Sequence, residues 1–80
     1  MIILSVHTKR EMEPRGVTLP YIEATLAAPA IVMPDKKDPS LTRSYRAISE
    51  FGGRVLRVVH RPKGEDTFIV TAHWDRGVKL

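Results

Sequence analysis

Cysteine is absent from this chain of 80 residues. That excludes disulfides, thiolate metal sites and cysteine-based catalysis, and it agrees with a reducing compartment. Long apolar runs are missing too. No stretch approaches the roughly 18 apolar residues that would cross a membrane. The opening, Met1 to Arg10, has only a short apolar-leaning run before His7 and Lys9. It lacks the basic leader and longer apolar centre of a signal peptide, so a cytoplasmic protein without membrane contact is expected. There is no H-x-x-x-H pair and no carboxylate-rich constellation, so no metal site is expected. A P-loop and a glycine-rich phosphate cradle are also lacking, and Ser5, Ser40, Ser44 and Ser49 sit in no nucleophile-elbow context. No cofactor is expected. Aromatic residues make up only 6% of the chain, and Trp74 and Tyr45 read as packing residues rather than a base-stacking platform.

What is present fits one domain spanning residues 1–80, with 42% apolar residues to build a core. The organising stretch is Gly52 to Trp74. It reads as two β-strands, Arg54–Arg61 and Thr67–Trp74, joined across a Pro-Lys-Gly-Glu-Asp turn. Both arms are rich in Val, Ile, Phe and Thr, which suit a pleated, half-buried surface. Upstream, Thr8-Lys9-Arg10-Glu11 has the form of a capping box, with Ser5 as a rival cap one turn earlier. Pro14 and Gly16 stop this first helix. A second helix starts from Thr18, tolerates Pro20 in its first turn, carries Leu19, Ile22 and Leu26 on one stripe, and ends at Pro29. Ala30–Met33 and Arg43–Phe51 read as further strands, separated by a charged loop from Pro34 to Thr42. Met1–Val6 reads as either a short edge strand or a frayed lead-in. The expected fold is α+β: two N-terminal helices packed on an antiparallel sheet of about four strands, with the other sheet face open.

The charge is uneven. Thirteen Lys and Arg oppose nine Asp and Glu, giving a formal +4, and Arg43, Arg46, Arg54, Arg57 and Arg61 fall close together. The planar guanidinium fork suits phosphate, so an anionic partner is favoured, RNA first. Many small proteins carry this charge without such a partner. The alternation in Arg54–Arg61 leaves both faces mixed, so the pattern alone does not say which arginines meet solvent.

Cleaving RNA without a metal requires a base for the 2′-hydroxyl, an acid for the leaving oxygen and cations for the charge that builds on phosphorus. Histidines suit the proton transfers because their ordinary pKa lies near neutrality. His60 and His73 sit on the two arms of the hairpin at similar distances from its turn, which would bring them near each other across the ladder. They are the candidate catalytic pair, with Arg15. Candidate RNA-binding residues are Arg10, Arg43, Arg46, Arg57 and Arg61. Plainer roles stand beside these: His60 as a surface residue, His7 as a brace for the first helix, and Arg15 as a cation at that helix's end.

His7-x-x-Arg10-x-x-x-x-Arg15-Gly16-Val17, followed by a helix ending in Ala-Pro, resembles the opening of a bacterial family of small domains of unknown function. The later Gly-Gly-Arg-Val-Leu-Arg-Val-Val and Ile-Val-Thr-Ala segments resemble its paired strands. The frame, roughly residues 5 to 74, is similar to the BrnT toxins, which belong with the RelE-like ribonucleases. The resemblance implies an antiparallel sheet with two helices and a toxin-like endoribonuclease neutralised by a small antitoxin protein. The alternatives are a non-catalytic RNA- or protein-binding domain of the same fold, or an interaction module. In the latter, Arg43–Phe51 or the C-terminal strand is exposed and pairs with another chain, for example in a homodimer.

Overall fold

The computed structural model describes residues 1–80. Ser5 caps the first helix, α1 (Val6–Arg15), its hydroxyl accepting the Thr8 amide at 3.0 Å. Of the two rival caps Ser5 prevails, because the Thr8 hydroxyl is turned inward and donates to the Ile69 carbonyl at 3.2 Å. Pro14 is accommodated in the last turn, and the chain leaves the helix at Gly16, whose φ of 71° is left-handed. The amides of Gly16 and Val17 close the end by donating to the Glu13 and Met12 carbonyls. Thr18 caps α2 (Leu19–Ala27), accepting the Tyr21 amide at 3.3 Å, with Pro20 in the first turn. Ile22 and Thr25 are buried against the sheet, while Leu19 at the outer end of the stripe stays 41% exposed.

The sheet has five strands: β1 (Ile2–Leu4), β2 (Ile31–Pro34), β3 (Thr42–Ile48), β4 (Arg54–Lys63) and β5 (Asp66–Asp75). Their order is β1-β5-β4-β3-β2. The α+β expectation holds, with one strand more than expected. β1 lies parallel to β5, so the sheet is mixed; the other neighbours are antiparallel. A parallel neighbour needs a long connection, and β1 has both helices and three strands between itself and β5. β1 and β2 form the edges. β3 and β5, expected as exposed strands for pairing with another chain, both lie inside the sheet. The expected strand to Phe51 ends at Ile48, where Ser49–Phe51 tightens into a 3₁₀ turn.

The central hairpin is longer than its sequence pattern suggests. Pro62 is tolerated within β4 because β3 stops at Thr42, opposite His60. Beyond that point β4 has a neighbour on one side only, and a missing amide leaves no ladder bond unmade there. The register shifts between Val59, opposite Thr71, and His60, opposite Ile69, leaving Val70 as a bulged extra residue. Ile69 and Ala72 therefore both enter the core although they lie three positions apart, an odd step that would put them on opposite faces of a regular strand. Val17, Ile22, Ile48, Leu56, Val58, Ile69 and Ala72 form that core, between helices and sheet. At its end Phe51 stacks on Trp74, with centroids 4.3 Å apart, and Tyr21 meets both rings edge-on. The Trp74 indole donates to the Arg15 carbonyl at 2.6 Å, tying α1 to β5. No helix is long and apolar enough to cross a membrane.

A Cβ at Gly16 would lie 2.9 Å from the Phe51 ring, whereas nothing lies within 4 Å of one at Gly52. Both glycines have positive φ. Gly52→Ala is therefore expected to lower stability by about 1–2 kcal/mol, the left-handed cost alone. Gly16→Ala should lose about 1 kcal/mol more, because the stacked rings must move. Thermal unfolding of the two variants beside the parent chain checks the order, at roughly 4–8 °C per kcal/mol for a domain this size.

Candidate functional site on the open sheet face

With Leu56 and Val58 turned to the helices, alternation puts Val55, Arg57, Val59 and Arg61 of β4 on the opposite face. The register adds Arg43 and Tyr45 from β3, and Thr71, His73 and Asp75 from β5. This face is only partly open. The segment from Asp35 to Leu41 folds along one side and the chain after Asp75 along the other, leaving cavities of about 330 and 300 Å³. Arg43 and Arg57 line both. The first is completed by Met33, Lys36, Tyr45 and Asp75, the second by Lys37, Leu41, Thr71 and His73.

Arg57 is the centre of this arrangement. One terminal nitrogen lies 2.8 Å from His73 Nε2, the other 3.4 Å from the Asp75 carboxylate. Its Nε and the Thr71 hydroxyl oxygen are buried without a hydrogen-bond partner. Because a guanidinium only donates, His73 must accept through Nε2 and carry its proton on Nδ1, which requires a neutral ring. Arg43 is held by Asp35 at 2.7 Å and donates to the Tyr45 hydroxyl at 3.3 Å. The other Asp35 oxygen accepts the amides of Lys37 and Asp38, which pins the start of the charged loop. From α1, Arg15 donates to the Ala72 carbonyl at 3.1 Å. Its charge acts on His73, so the end of α1 reaches the same site.

Of the sequence candidates, Arg43, Arg57 and His73 come together, and Arg15 joins them from the side. Arg61 shares the face but lies nearer the hairpin tip, stacked on Phe68. Arg46 is on the helical face, donating to the Ala28 carbonyl at the end of α2 at 2.8 Å. Arg10 is exposed on α1. His60 is also on the helical face, 2.8 Å from the Ser44 hydroxyl. The expected approach of His60 to His73 does not form. His60 lies opposite Ile69 and His73 opposite Arg57, and the two rings leave the sheet on opposite sides. Asp35, Lys37, Thr71 and Asp75 belong to the site without having been singled out. The Asp75-Arg76-Gly77 step is the one sequence signal, since its carboxylate accepts the Gly77 and Val78 amides in a turn typical of Asp before Gly.

Residues 4–74 match a family described as "Domain of unknown function (DUF4258)". The chain belongs to this family. No match is found among curated proteins, and none among solved structures. Membership in DUF4258 confirms the small-domain family the opening motif resembles.

In this DUF4258 domain both histidines are held toward the neutral form. Burial lowers the pKa of His60 below its ordinary 6.5. Burial also lowers that of His73, reinforced by the charges of Arg57 and Arg15 and only partly opposed by Asp75. The hydrogen bond from Arg43, with the Asp38 amide, holds Asp35 below the usual carboxylate range. Burial alone would raise Asp75, but the Val78 and Gly77 amides and Arg57 outweigh it and hold it low as well.

The unfolded chain therefore binds more protons than the folded one as pH falls. The stability the histidines supply is complete above pH 6.5 and is lost as pH drops through their lowered folded values. Asp35 and Asp75 keep theirs until pH falls below 3.8. Melting temperature should thus fall as pH drops below about 6.5, then fall again in the acid range below about 3.8. A His60→Gln/His73→Gln double variant should lose the first step and keep the second, as thermal melts across pH will test.

Proposed function

We propose that this domain binds RNA on the open face of its sheet and cleaves it without a metal, as a ribonuclease of the BrnT/RelE toxin kind. The contact between Arg57 and the neutral Nε2 of His73, with Arg43 lining the same cavities, carries this reading. A phosphate entering beside Arg57 competes for its guanidinium and draws it off His73. The Nε2 lone pair is then free to accept the 2′-hydroxyl proton. Arg57 and Arg43, oriented before the reaction, offset the charge that develops on the phosphoryl oxygens, and the field of Arg15 adds to theirs. The leaving oxygen takes its proton from water, since His60 lies across the sheet. Arg61 binds phosphate further along the same face, whereas Arg10 and Arg46 contribute only to the general positive field. A small acidic antitoxin would cover this face in the cytoplasm.

One observation favours a second reading. Of the three histidines only His73 lines the cavity where Arg43 and Arg57 meet, so no histidine pair is assembled there. A domain of this design can bind RNA, or an acidic protein, without cutting.

The deciding comparison is induced expression of the parent chain, Arg57→Ala, His73→Ala and His60→Ala, following growth and RNA integrity. The parent should arrest growth and degrade RNA. His73→Ala should lose about 10²–10⁴ in cleavage rate, the usual worth of a positioned base. His60→Ala should still cleave, because its ring is remote from the cavity. Equal loss from His60→Ala would sink the open-face assignment. Intact RNA with the parent chain, together with salt-dependent RNA binding in vitro, would establish the non-catalytic reading.

A further inference from the structure

The open face continues past Arg57 toward the hairpin tip. Four residues along β4, about 13 Å at the usual strand rise, Arg61 stands opposite Phe68. The Arg61 guanidinium carbon lies 4.7 Å from the centre of the Phe68 ring, and the Lys63 ammonium lies 5.4 Å from it. No carboxylate is within ion-pair distance of either cation.

Phe68 is the aromatic ring that the core does not claim. Tyr21, Phe51 and Trp74 form the cluster under the helices, and Tyr45 is only 3% exposed. Phe68 remains half-buried on the open face. The bulge is what puts it there. In an unbroken strand Phe68 would share the inward face of Ala72 and Trp74. The extra residue at Val70 turns Ile69 inward instead and Phe68 outward.

We propose that Phe68, with Arg61 and Lys63, is a stacking subsite for an unpaired nucleobase of the strand whose phosphate is held at Arg57. This rests on the RNA reading above and specifies which part of the ligand this end of the face takes. Unpaired bases stack on aromatic rings and on guanidinium planes. Because the Arg61 guanidinium lies over the Phe68 ring, the base takes the place of Arg61 on the ring, and the freed guanidinium turns to the strand's phosphate. Lys63 supplies a cation for the adjoining phosphate. The span from Arg57 to Arg61 exceeds the reach of one nucleotide, so the ligand is an oligonucleotide strand. A paired duplex, whose bases are stacked on each other, offers no free face to the ring.

The test is fluorescence anisotropy with a labelled single-stranded RNA hexamer and an abasic hexamer of the same backbone, at several salt concentrations. Phe68→Leu keeps an apolar side chain and removes the ring. It should weaken binding of the base-bearing strand about tenfold and of the abasic strand by roughly twofold at most, with an unchanged salt slope. Arg57→Ala should weaken both strands and reduce the salt slope by about 0.7. Phe68→Trp should keep the affinity, and its added fluorescence should be quenched by the base-bearing strand alone. The subsite is overturned if Phe68→Leu binds the base-bearing strand like the parent chain, or loses both strands equally. Binding by the parent that needs Arg57 but not Phe68 removes the subsite and leaves the RNA reading standing. A parent chain that binds neither strand removes both.

Discussion

The outer edge of β5 is too long for its neighbour, and the way α1 covers the excess governs the rest of the molecule. β1 pairs only with Thr67, Phe68 and Ile69. Above that point the strand bulges at Val70, and exposed carbonyls would face the protein interior. Ser5 and Thr8 meet them: the Ser5 amide donates to Ile69 at 3.0 Å and its hydroxyl to Val70 at 2.9 Å. The buried Thr8 hydroxyl gives Ile69 a second bond. A buried carbonyl left unpaired costs about 1–3 kcal/mol, a large share of the stability of a domain this small. Arg15 and Trp74 extend the same seam, the Arg15 guanidinium donating to the Ala72 carbonyl and the Trp74 indole donating to the Arg15 carbonyl. One helix thus replaces a missing strand, using side chains where a ladder would use backbone.

The open face of the sheet inherits its order from that seam. Because the bulge is fixed, Thr71, His73 and Asp75 all turn toward Arg57, and Phe68 turns outward below them. The two arginines are not free charges. Asp35 holds Arg43 in a largely buried pair, with 11% and 15% of the respective side chains exposed, and Asp75 stands beside Arg57. These carboxylates occupy the positions on Arg43 and Arg57 that an anion would take, so an anionic ligand would have to exchange with them. That arrangement holds both guanidinium groups in fixed positions on the open face.

Local chemistry was legible wherever a few adjacent residues decide the outcome. Thr18 and Pro20 mark the start of α2, Gly16 marks the end of α1, and the strand residues on either side of Pro62–Asp66 mark the hairpin. The rival caps at Ser5 and Thr8 were not separable locally, because both have the right side chain. What separates them is a carbonyl far along the chain, at Ile69, which takes the Thr8 hydroxyl. The arginines present the same limit. In Arg54–Arg61 apolar residues appear on both faces, since helices cover part of one face while a loop and the final turn cover part of the other. Tyr45 is buried on the face without helices for that reason.

By itself the sequence determined an α+β fold with two helices ahead of the central hairpin, a net positive charge, no thiol chemistry and no membrane-spanning helix. Those properties follow from composition, capping and periodicity, which act over a few residues. Tertiary structure alone decided that β1 joins the sheet in parallel, that His60 and His73 face opposite ways, and that Arg43, Arg57 and His73 meet. Each of those depends on register, and a single bulged residue reverses every face beyond it. Such a shift is set by long-range contacts between Ser5, Thr8 and β5, so no window along the chain contains it.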